Sequence, residues 1–223
     1  SDLPLAILPG GTANAVALAL GVPLDPAAAC ALLVDAPSTI KSVDLGEIND
    51  QHFLIAIGVG IPGALAEAAD RDRKDRLGAL AYALGSLQAL RSAAPAQYEL
   101  EIDGERITRQ AVMAVIANSG NFGLPGLPLA PDIDMNDGKL DVFVFENSDL
   151  TTLISTAASV VLQSEQSPAY ERWQAHEVSI RTTPEQAIQA DGEVLQPGNL
   201  IARLQHGAVK VLVPGGGGLS ESG

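Results

Sequence analysis

The chain has a single cysteine, Cys30, and little basic charge. One cysteine cannot form an intrachain disulfide, so a disulfide-stabilised secreted scaffold is excluded and a reducing compartment is expected. The 13 Lys and Arg residues against 27 Asp and Glu residues give a formal net charge of −14. Broad binding of nucleic acid needs a basic surface to meet the phosphates, so we expect no nucleic-acid partner.

The sequence also lacks long hydrophobic runs. None approaches the roughly 18 residues of a membrane-spanning candidate, and no signal peptide is recognisable. Hydrophobic residues nevertheless make up 47% of the 223 residues and charged residues only 18%, which excludes a wholly disordered chain. The first residue is Ser1 rather than Met, and an apolar segment follows almost at once. We therefore expect a piece of a longer, cytoplasmic protein.

Residues 1–36 alternate strand and helix signals, as α/β proteins do. Leu5–Leu8 is short and apolar, which predicts a strand, and a Gly-rich turn at Pro9–Asn14 separates it from a helix over Ala15–Leu20. Asp25, followed by proline, predicts the N-cap of a second helix that continues to residue 34. Cys30 lies in an apolar stretch of that helix, so we expect it in the core.

From residue 39 onward the pattern changes to short strands joined by tight turns. Gln97–Ile102 alternates hydrophobic with acidic residues, which is typical of a strand with one buried face. The predicted strands are Lys41–Ile48, His52–Val59, Gln97–Ile102, Glu105–Arg109, Ala111–Ala117, Lys139–Phe145, Glu177–Arg181, Ala187–Ala190, Leu200–Gln205 and Ala208–Val213. Helices are predicted over Pro62–Ala69, Leu77–Leu90 and Asp149–Leu162. The pattern indicates an α+β fold that is mainly β, a β-sandwich with helical insertions.

The change of pattern near Pro37 marks the best candidate for a domain boundary. We predict an α/β remnant over residues 1–36 and a β-sandwich domain over residues 37–213. Residues 214–223 are rich in Gly and Ser and carry no core-forming pattern, which predicts a flexible tail.

The Gly-rich turn is the first candidate binding segment. Gly10 and Gly11 allow a ligand to approach the backbone, and the start of the following helix offers free N–H donors to a phosphate. Thr12 and Asn14 add side-chain hydrogen bonds. The alternative is an ordinary strand-to-helix turn in which Thr12 or Asn14 serves as the helix cap.

The acidic loop before the strand Lys139–Phe145 is the second candidate segment. It holds Asp132, Asp134, Asn136 and Asp137 in close succession, followed by glycine. Mg²⁺ prefers carboxylate, carbonyl and water oxygens, and one such loop can supply several of them. The spacing does not match an EF-hand, because no Glu closes the loop where that pattern requires it. The alternative is an Asp-Gly turn with solvated acids.

Asp191-Gly192-Glu193 is the third candidate segment. It follows the apolar residues Ala187–Ala190, so it can place a carboxylate at a strand end, ready to accept a proton from a hydroxyl. The alternative is a simple hairpin turn of the Asp-Gly type.

A local basic run, Asp70–Arg76, contains four of the chain's basic residues, Arg71, Arg73, Lys74 and Arg76. Such a run can meet anionic lipid head groups. Acidic residues interleave with it, however, so a solvated helix junction is the alternative interpretation.

Taken together, these segments resemble the soluble diacylglycerol kinase-type lipid kinases, the superfamily that includes the sphingosine kinases. The order and spacing of the matching motifs extend over nearly the whole chain. They are Leu8-Pro9-Gly10-Gly11-Thr12-Ala13-Asn14, Ala19–Pro23, Asp44-Leu45-Gly46, Phe53–Gly60, the series Asn118, Gly123, Gly126 and Ala130-Pro131, then Asp137–Val142 and Asp191-Gly192-Glu193.

The resemblance implies an N-terminal α/β nucleotide domain, a C-terminal β-sandwich and an active site in the cleft between them. Residues 1–36 would be a remnant of the nucleotide domain, with Gly10, Gly11, Thr12 and Asn14 near the ATP phosphates.

The resemblance also implies roles for the later motifs. It places Mg²⁺ on the Asp137 side chain and on the backbone carbonyls of Asp134 and Lys139. Glu193 resembles the base that deprotonates the lipid hydroxyl, and Asp191 is the competing candidate.

Three departures from the family pattern stand out. The Gly-Gly-Asp-Gly-Thr loop that holds ATP phosphates is absent from this sequence, so we expect the chain by itself to be inactive. Ile61–Ala64 replaces a Phe-Asp-Ala-like stretch, and Ala15 stands where a second acid often follows the Asn.

The expected partners are ATP, a diacylglycerol-like lipid and the missing nucleotide domain. Peripheral contact with a membrane surface is compatible with this interpretation. Two alternatives remain. One is an NAD kinase-like enzyme with a soluble substrate, and the other is a non-catalytic lipid-binding or regulatory module.

Overall fold

A computed structural model describes residues 3–11, 14–34, 38–60, 95–120, 132–146 and 170–215 of the chain. Within these residues the protein is mainly β, with two sheets whose inner faces share one hydrophobic core. The predicted helices Pro62–Ala69, Leu77–Leu90 and Asp149–Leu162, the basic run Asp70–Arg76 and residues 216–223 of the predicted tail lie outside the described residues. The predicted mainly β sandwich is confirmed.

The N-terminal part contains one short strand and two short helices, β1 (Leu5–Ala6), α1 (Ala15–Ala19) and α2 (Pro26–Ala31). Asp25 caps α2 as predicted, because its Oδ2 accepts a hydrogen bond of 2.8 Å from the backbone N–H of Ala28. Cys30 is exposed, so the prediction that it belongs to the core is wrong. The helix turns Ala29 inward, and the next residue along the chain therefore faces out.

The first sheet contains β2 (Ser38–Ile48), β3 (Gln51–Phe53), β5 (Ala96–Ile102), β6 (Glu105–Ala111), β10 (Glu177–Thr183) and β13 (Leu200–Pro214). Its order is β3-β2-β13-β10-β5-β6, all antiparallel, and β1 adds a parallel pairing to β13 at Leu5↔Val211. We call it sheet 1.

The second sheet, sheet 2, contains β4 (Ala56–Gly60), β7 (Met113–Ala117), β8 (Leu140–Phe145), β9 (Glu171–Ala175), β11 (Ile188–Ala190) and β12 (Glu193–Leu195). Its order is β12-β11-β4-β7-β8-β9, again antiparallel.

The hydrophobic core lies between the two sheets. Tyr98 and Ile180 from sheet 1 meet Ile57 and Val142 from sheet 2 in one buried cluster. A second cluster packs α1 and α2 against sheet 2 and the end of β13. Because both faces of β4 and β8 are covered, these strands are buried throughout, whereas β5 alternates buried with more exposed residues.

The stretch predicted as one strand, His52–Val59, is split in the structure. β3 belongs to sheet 1 and β4 to sheet 2, so the chain crosses between the sheets at residues 54–55. Phe53 ends β3 directly over Gly46, where an added Cβ would lie 2.1 Å from the Phe53 ring. Gly46 is therefore required for this aromatic side chain to fit.

The last two predicted strands are joined in the structure. The strands predicted over Leu200–Gln205 and Ala208–Val213 form the single long strand β13, and a register shift lies between Gln205 and Val209 where the prediction left a gap. Such a bulge keeps both halves paired with β2 while bending the strand. The strands β9 and β12 were not predicted.

Among the described residues, no helix has the length and apolar character needed to cross a membrane.

Candidate functional site

Two of the three candidate segments, the acidic loop and Asp191-Gly192-Glu193, lie at the same end of sheet 2. The register pairs Ala56 with Ala117 and Ala117 with Asp141, and it places Ala190 opposite Ile57. In an antiparallel sheet, the start of one strand lies beside the end of its neighbour. Four features therefore lie at the same end of sheet 2: the crossing at residues 54–55, Asn118, the acidic loop before β8 and the Asp191-Gly192 turn after β11.

The Asp191-Gly192 turn joins β11 to β12 as a two-residue hairpin. Both residues have positive φ, 47° for Asp191 and 91° for Gly192, and Ala190 pairs with Glu193 across the turn. This conformation suits Asp-Gly, because Gly carries no Cβ and Asp tolerates the left-handed region. The segment is thus the hairpin turn that the alternative interpretation described, and it also presents Glu193 at the first position of β12.

Asp191 and Glu193 have different surroundings. The Asp191 carboxylate accepts three backbone hydrogen bonds, from Leu54 N–H at 2.6 Å, Ile55 N–H at 2.9 Å and Ala56 N–H at 3.0 Å. The crossing between sheets leaves these N–H groups without a strand partner, and the carboxylate takes that place. The exposed side chain of Glu193 has no hydrogen-bond or ion-pair partner among the described residues, whereas its backbone pairs with Ala190.

Asp44 holds the second half of the acidic loop. The Asp44 carboxylate accepts a hydrogen bond of 2.8 Å from Gly138 N–H, and Asp44 N–H donates to the carbonyl of Met135 at 2.7 Å. Met135 itself is buried in the second core cluster. These contacts show that the loop is more than a solvated turn, although the side chains of Asp134 and Asp137 are exposed.

Arg172 on β9 holds the first part of the same loop. It donates to Asp132 at 2.7 Å and to the buried Asp141 of β8 at 2.7 Å, and it lies over the Phe143 ring. Burial raises the pKa of the Asp141 carboxyl above its ordinary value, and Arg172 opposes only part of that shift. The Arg172 contacts therefore join the loop to the sheet through a charged, partly buried pair.

The predicted Mg²⁺ ligands, Asp134, Asp137 and Lys139, fall within six consecutive residues before β8, and Asp137 N–H donates to the carbonyl of Asp134 at 3.4 Å. Asp137 Oδ1 accepts from Lys139 N–H at 3.0 Å, and Asp134 Oδ1 lies 3.4 Å from Lys41 Nζ. The described residues contain no group of three or more His, Cys, Asp or Glu side chains arranged to bind a metal. A set of one carboxylate and two backbone carbonyls, completed by water, suits Mg²⁺ better than a transition metal, so the donor chemistry fits.

Asp44 lies beside the acidic loop, and no role was assigned to it from the sequence. It is fully buried, and its Oδ1 lies 2.8 Å from His206 Nδ1 and accepts from Gly207 N–H at 2.7 Å. The bulge in β13 brings His206 and Gly207 to this carboxylate. An aspartate between Val43 and Leu45 in an apolar strand is the signal that was available, because a buried charge requires partners.

Gly138 fits closely beside this pair. Its φ is +76°, and an added Cβ would lie 3.3 Å from His206 Nδ1. A side chain here would strain the backbone and crowd the imidazole, so the Asp-Gly sequence of the loop is a structural requirement.

Asn118 connects the crossing segment with Asp44. Its side-chain Nδ2 donates to the carbonyls of Asp44 at 3.0 Å and Leu54 at 2.9 Å, and its backbone N–H donates to Ile55 at 2.9 Å. The residue is fully buried, and no role was assigned to it from the sequence.

The Gly-rich turn is only partly described, because Thr12 lies outside the described residues. Gly10 and Gly11 are exposed, and Gly11 N–H donates to Asn14 Oδ1 at 2.9 Å. Asn14 precedes α1 with a φ of 47° and makes no side-chain cap to that helix. The described contacts do not join these residues to the Glu193 hairpin or the acidic loop, so their proposed role near phosphates remains a prediction.

Comparison with known proteins adds two family matches. Residues 55–213 match the family model described as the YegS C-terminal NAD kinase beta sandwich-like domain. Residues 1–48 match the diacylglycerol kinase catalytic domain.

Similar proteins carry related names. A Pseudomonas putida protein named "Probable lipid kinase YegS-like" is 33% identical over 95% of this chain and 69% of its own length. A Bacillus subtilis protein named "Diacylglycerol kinase" is 28% identical over 94% of this chain and 69% of its own length. The crystal structure of a Bacillus anthracis protein named "putative diacylglycerol kinase" gives a TM-score of 0.74 at 26% identity, covering 94% of this chain and 68% of that chain. The chain spans 46% to 69% of the first of the curated relatives that it matches.

Proposed function

This chain belongs to the diacylglycerol kinase-type lipid kinase family, and we propose that it carries the acceptor side of an ATP-dependent lipid kinase. Residues 37–213 would form the β-sandwich domain that receives the lipid, residues 1–36 an edge of the nucleotide domain, and residues 214–223 a flexible tail. The lipid would be one with a free hydroxyl, such as diacylglycerol.

The observation that supports this proposal best is the contrast between Asp191 and Glu193. The three hydrogen bonds that the Asp191 carboxylate accepts serve the fold, whereas the exposed side chain of Glu193, two residues later, has no partner among the described residues. A carboxylate that is to accept a proton needs a free oxygen within reach of the substrate. We therefore assign the base to Glu193 and a structural role to Asp191.

The proposed reaction transfers the γ-phosphoryl group of ATP to the lipid. The hydroxyl oxygen forms a bond to the γ-phosphorus, the bond from that phosphorus to the β,γ-bridging oxygen breaks, and ADP leaves. The hydroxyl proton passes to a carboxylate oxygen of Glu193. Positioning and charge stabilisation supply most of the rate in this chemistry, and proton acceptance contributes typically 10²–10⁴-fold.

Asp137, through its side chain, and Asp134 and Lys139, through their carbonyls, would hold Mg²⁺. When bound, the ion would supply positive charge close to the anionic substrates. The chain's own part is to keep these oxygens in place, which the contacts of Asp44 and Arg172 to the loop support.

Gly10, Gly11, Thr12 and Asn14 would contact the ATP phosphates from the other side of the cleft. Because the sequence contains no Gly-Gly-Asp-Gly-Thr loop, the proposal includes that this chain alone does not turn over ATP and lipid. We also propose that the full-length enzyme acts in the cytoplasm and meets its lipid at a membrane surface.

The test compares Glu193→Gln with Asp191→Asn in the full-length gene product, assayed with radiolabelled ATP and diacylglycerol in mixed micelles. Glu193→Gln should lower kcat by about 10²–10⁴-fold with an unchanged melting temperature, because it removes only the proton acceptor. Asp191→Asn should lower the melting temperature and retain more of the activity per folded molecule. The reverse pattern would assign the base to Asp191.

A parallel assay with NAD as acceptor tests the enzymatic alternative. Phosphorylation of NAD without phosphorylation of any lipid would replace the lipid kinase proposal. Lipid binding without phosphorylation of either acceptor would favour a binding module.

A further inference from the structure

We propose that Asn118 is a positioning residue that fixes the Glu193 hairpin relative to the acidic loop. The catalytic meaning of this inference rests on the proposed function, because that function gives the hairpin and the loop their roles. The geometry itself rests only on the described hydrogen bonds.

The first step joins the hairpin to the crossing between the sheets. Asp191 binds the N–H groups of residues 54–56, and its own N–H donates to the carbonyl of Ala56 at 3.0 Å. The hairpin that carries Glu193 is therefore attached to the crossing by four hydrogen bonds.

The second step joins the crossing to sheet 1. The two side-chain protons of Asn118 go to the carbonyl of Leu54 and to that of Asp44, which lies on β2. Both partners are acceptors, so the amide nitrogen must face them, and its orientation is unambiguous. Asn118 thus ties the end of sheet 2 to a strand of sheet 1.

The third step joins sheet 1 to the acidic loop. Asp44 receives the N–H of Gly138 on its carboxylate and donates its own N–H to Met135. The result is a continuous path from the Glu193 hairpin through residues 54–56, Asn118 and Asp44 to the acidic loop, built from hydrogen bonds of 2.6–3.0 Å.

The two sheets meet mainly through apolar packing, and two polar contacts join them away from this end: the Tyr98 hydroxyl donates to the carbonyl of Val59 at 3.4 Å, and Arg109 donates to Glu171 at 2.8 Å. Apolar contacts are non-directional and set the spacing of two layers better than their alignment. Asn118 is fully buried and directs both side-chain donors to backbone carbonyls on different sides of the site, so its removal takes a partner from one buried acceptor, on Asp44, and one partly buried acceptor, on Leu54. The amide therefore supplies directional contacts that align the two sheets at the end where the hairpin and the acidic loop lie.

The test measures amide hydrogen exchange on this chain in Asn118→Ala and Asn118→Ser. Exchange should rise by about tenfold or more at residues 54–56 and also at Gly138, because both ends of the path lose their common support. Amides in the β5–β6 pairing, such as Ile107, should keep wild-type exchange relative to global stability.

Thr182→Val is the matched control. Thr182 is a buried polar residue of sheet 1 whose hydroxyl accepts from Gln186 N–H at 3.0 Å, and it lies off the path. It should lower the melting temperature without coupled exchange at residues 54–56 and Gly138. Faster exchange at one end only in the Asn118 variants, or an equal response in Thr182→Val, would overturn the proposal.

Kinetics of the full-length gene product give the second readout. Asn118→Ser should lower kcat by about tenfold and raise the Mg²⁺ concentration for half-maximal activity, while the KM for ATP stays near wild type. Thr182→Val at a matched melting temperature should change none of these. If the wild-type protein phosphorylates no lipid, the proposed function fails, and the exchange experiment still decides whether Asn118 couples the two segments.

Discussion

Replacing Asp191 tests the division of roles in the hairpin through stability alone. Asp191→Ala removes the acceptor of three backbone hydrogen bonds, of which those from Ile55 and Ala56 are partly buried and that from Leu54 is exposed. Water can replace the exposed bond, whereas each partly buried donor left unpaired costs about 1–3 kcal/mol. The φ of 47° adds roughly 1 kcal/mol for alanine, which disfavours this region.

The expected loss in the free energy of unfolding is therefore about 3–7 kcal/mol, a large share of the roughly 5–15 kcal/mol typical of a domain. Asp191→Asn should lose only about 1–2 kcal/mol. Its remaining carbonyl oxygen can still accept from Ile55 and Ala56, and Asn tolerates positive φ.

Urea unfolding of this chain measures these values. The chain's single tryptophan, Trp173, packs against the main core and reports the transition by fluorescence. Glu193→Gln, two residues away, is the matched control and should change stability by less than about 0.5 kcal/mol. Equal stability of Asp191→Ala and Glu193→Gln would refute the argument that Asp191 supports the fold.

Three further predictions concern Mg²⁺, pH and the chain in isolation. At Mg²⁺ ten times its dissociation constant, the ion should stabilise this chain by about 1.4 kcal/mol and raise Tm by about 3–6 °C. Asp137→Ala should abolish this rise in Tm, whereas the control Asp50→Ala should keep it. An unchanged rise in Tm in Asp137→Ala excludes Asp137 as a ligand. Burial raises the pKa of Asp103, but hydrogen bonds from Glu177 and His176 outweigh it and hold the pKa below its ordinary value. The contribution of Asp103 to stability is thus complete above the ordinary pKa of aspartate and is lost as the pH falls through its pKa in the folded protein. In urea titrations, the difference in the free energy of unfolding between wild type and Asp103→Asn should therefore shrink on acidification. A difference that stays constant with pH contradicts this. This chain alone should show no lipid phosphorylation with radiolabelled ATP, and turnover equal to that of the full-length gene product would disprove it.

Local sequence signals determined the elements and the tight turns. The alternation in Gln97–Ile102 and the continuous apolar stretch Ala111–Ala117 predicted strands that the structure contains. The hairpin turn given as the alternative interpretation of Asp191-Gly192 is present, and both residues adopt positive φ. These predictions succeeded because they depend on side-chain periodicity and on the conformational preferences of neighbouring residues.

The tertiary structure alone decided where one apolar stretch divides between two sheets. Nothing in His52–Val59 marks the crossing at residues 54–55, because each half is a good strand by itself. The crossing exists because β3 pairs with β2 while β4 pairs with β7 and β11, and those partners are chosen by the packing of the two sheets.

The surroundings of each acidic residue were likewise beyond the sequence. By residue type, Asp191 and Glu193 are equal candidates for the base. The structure separates them, because the Asp191 carboxylate binds backbone N–H groups of residues 54–56, which lie 135 to 137 positions away in the chain. Asp44 meets Gly138 and His206 across separations of 94 and 162 positions. Such contacts depend on strand order and on the bulge in β13, which bring distant backbone N–H groups to a buried carboxylate, and local propensity carries no information about either.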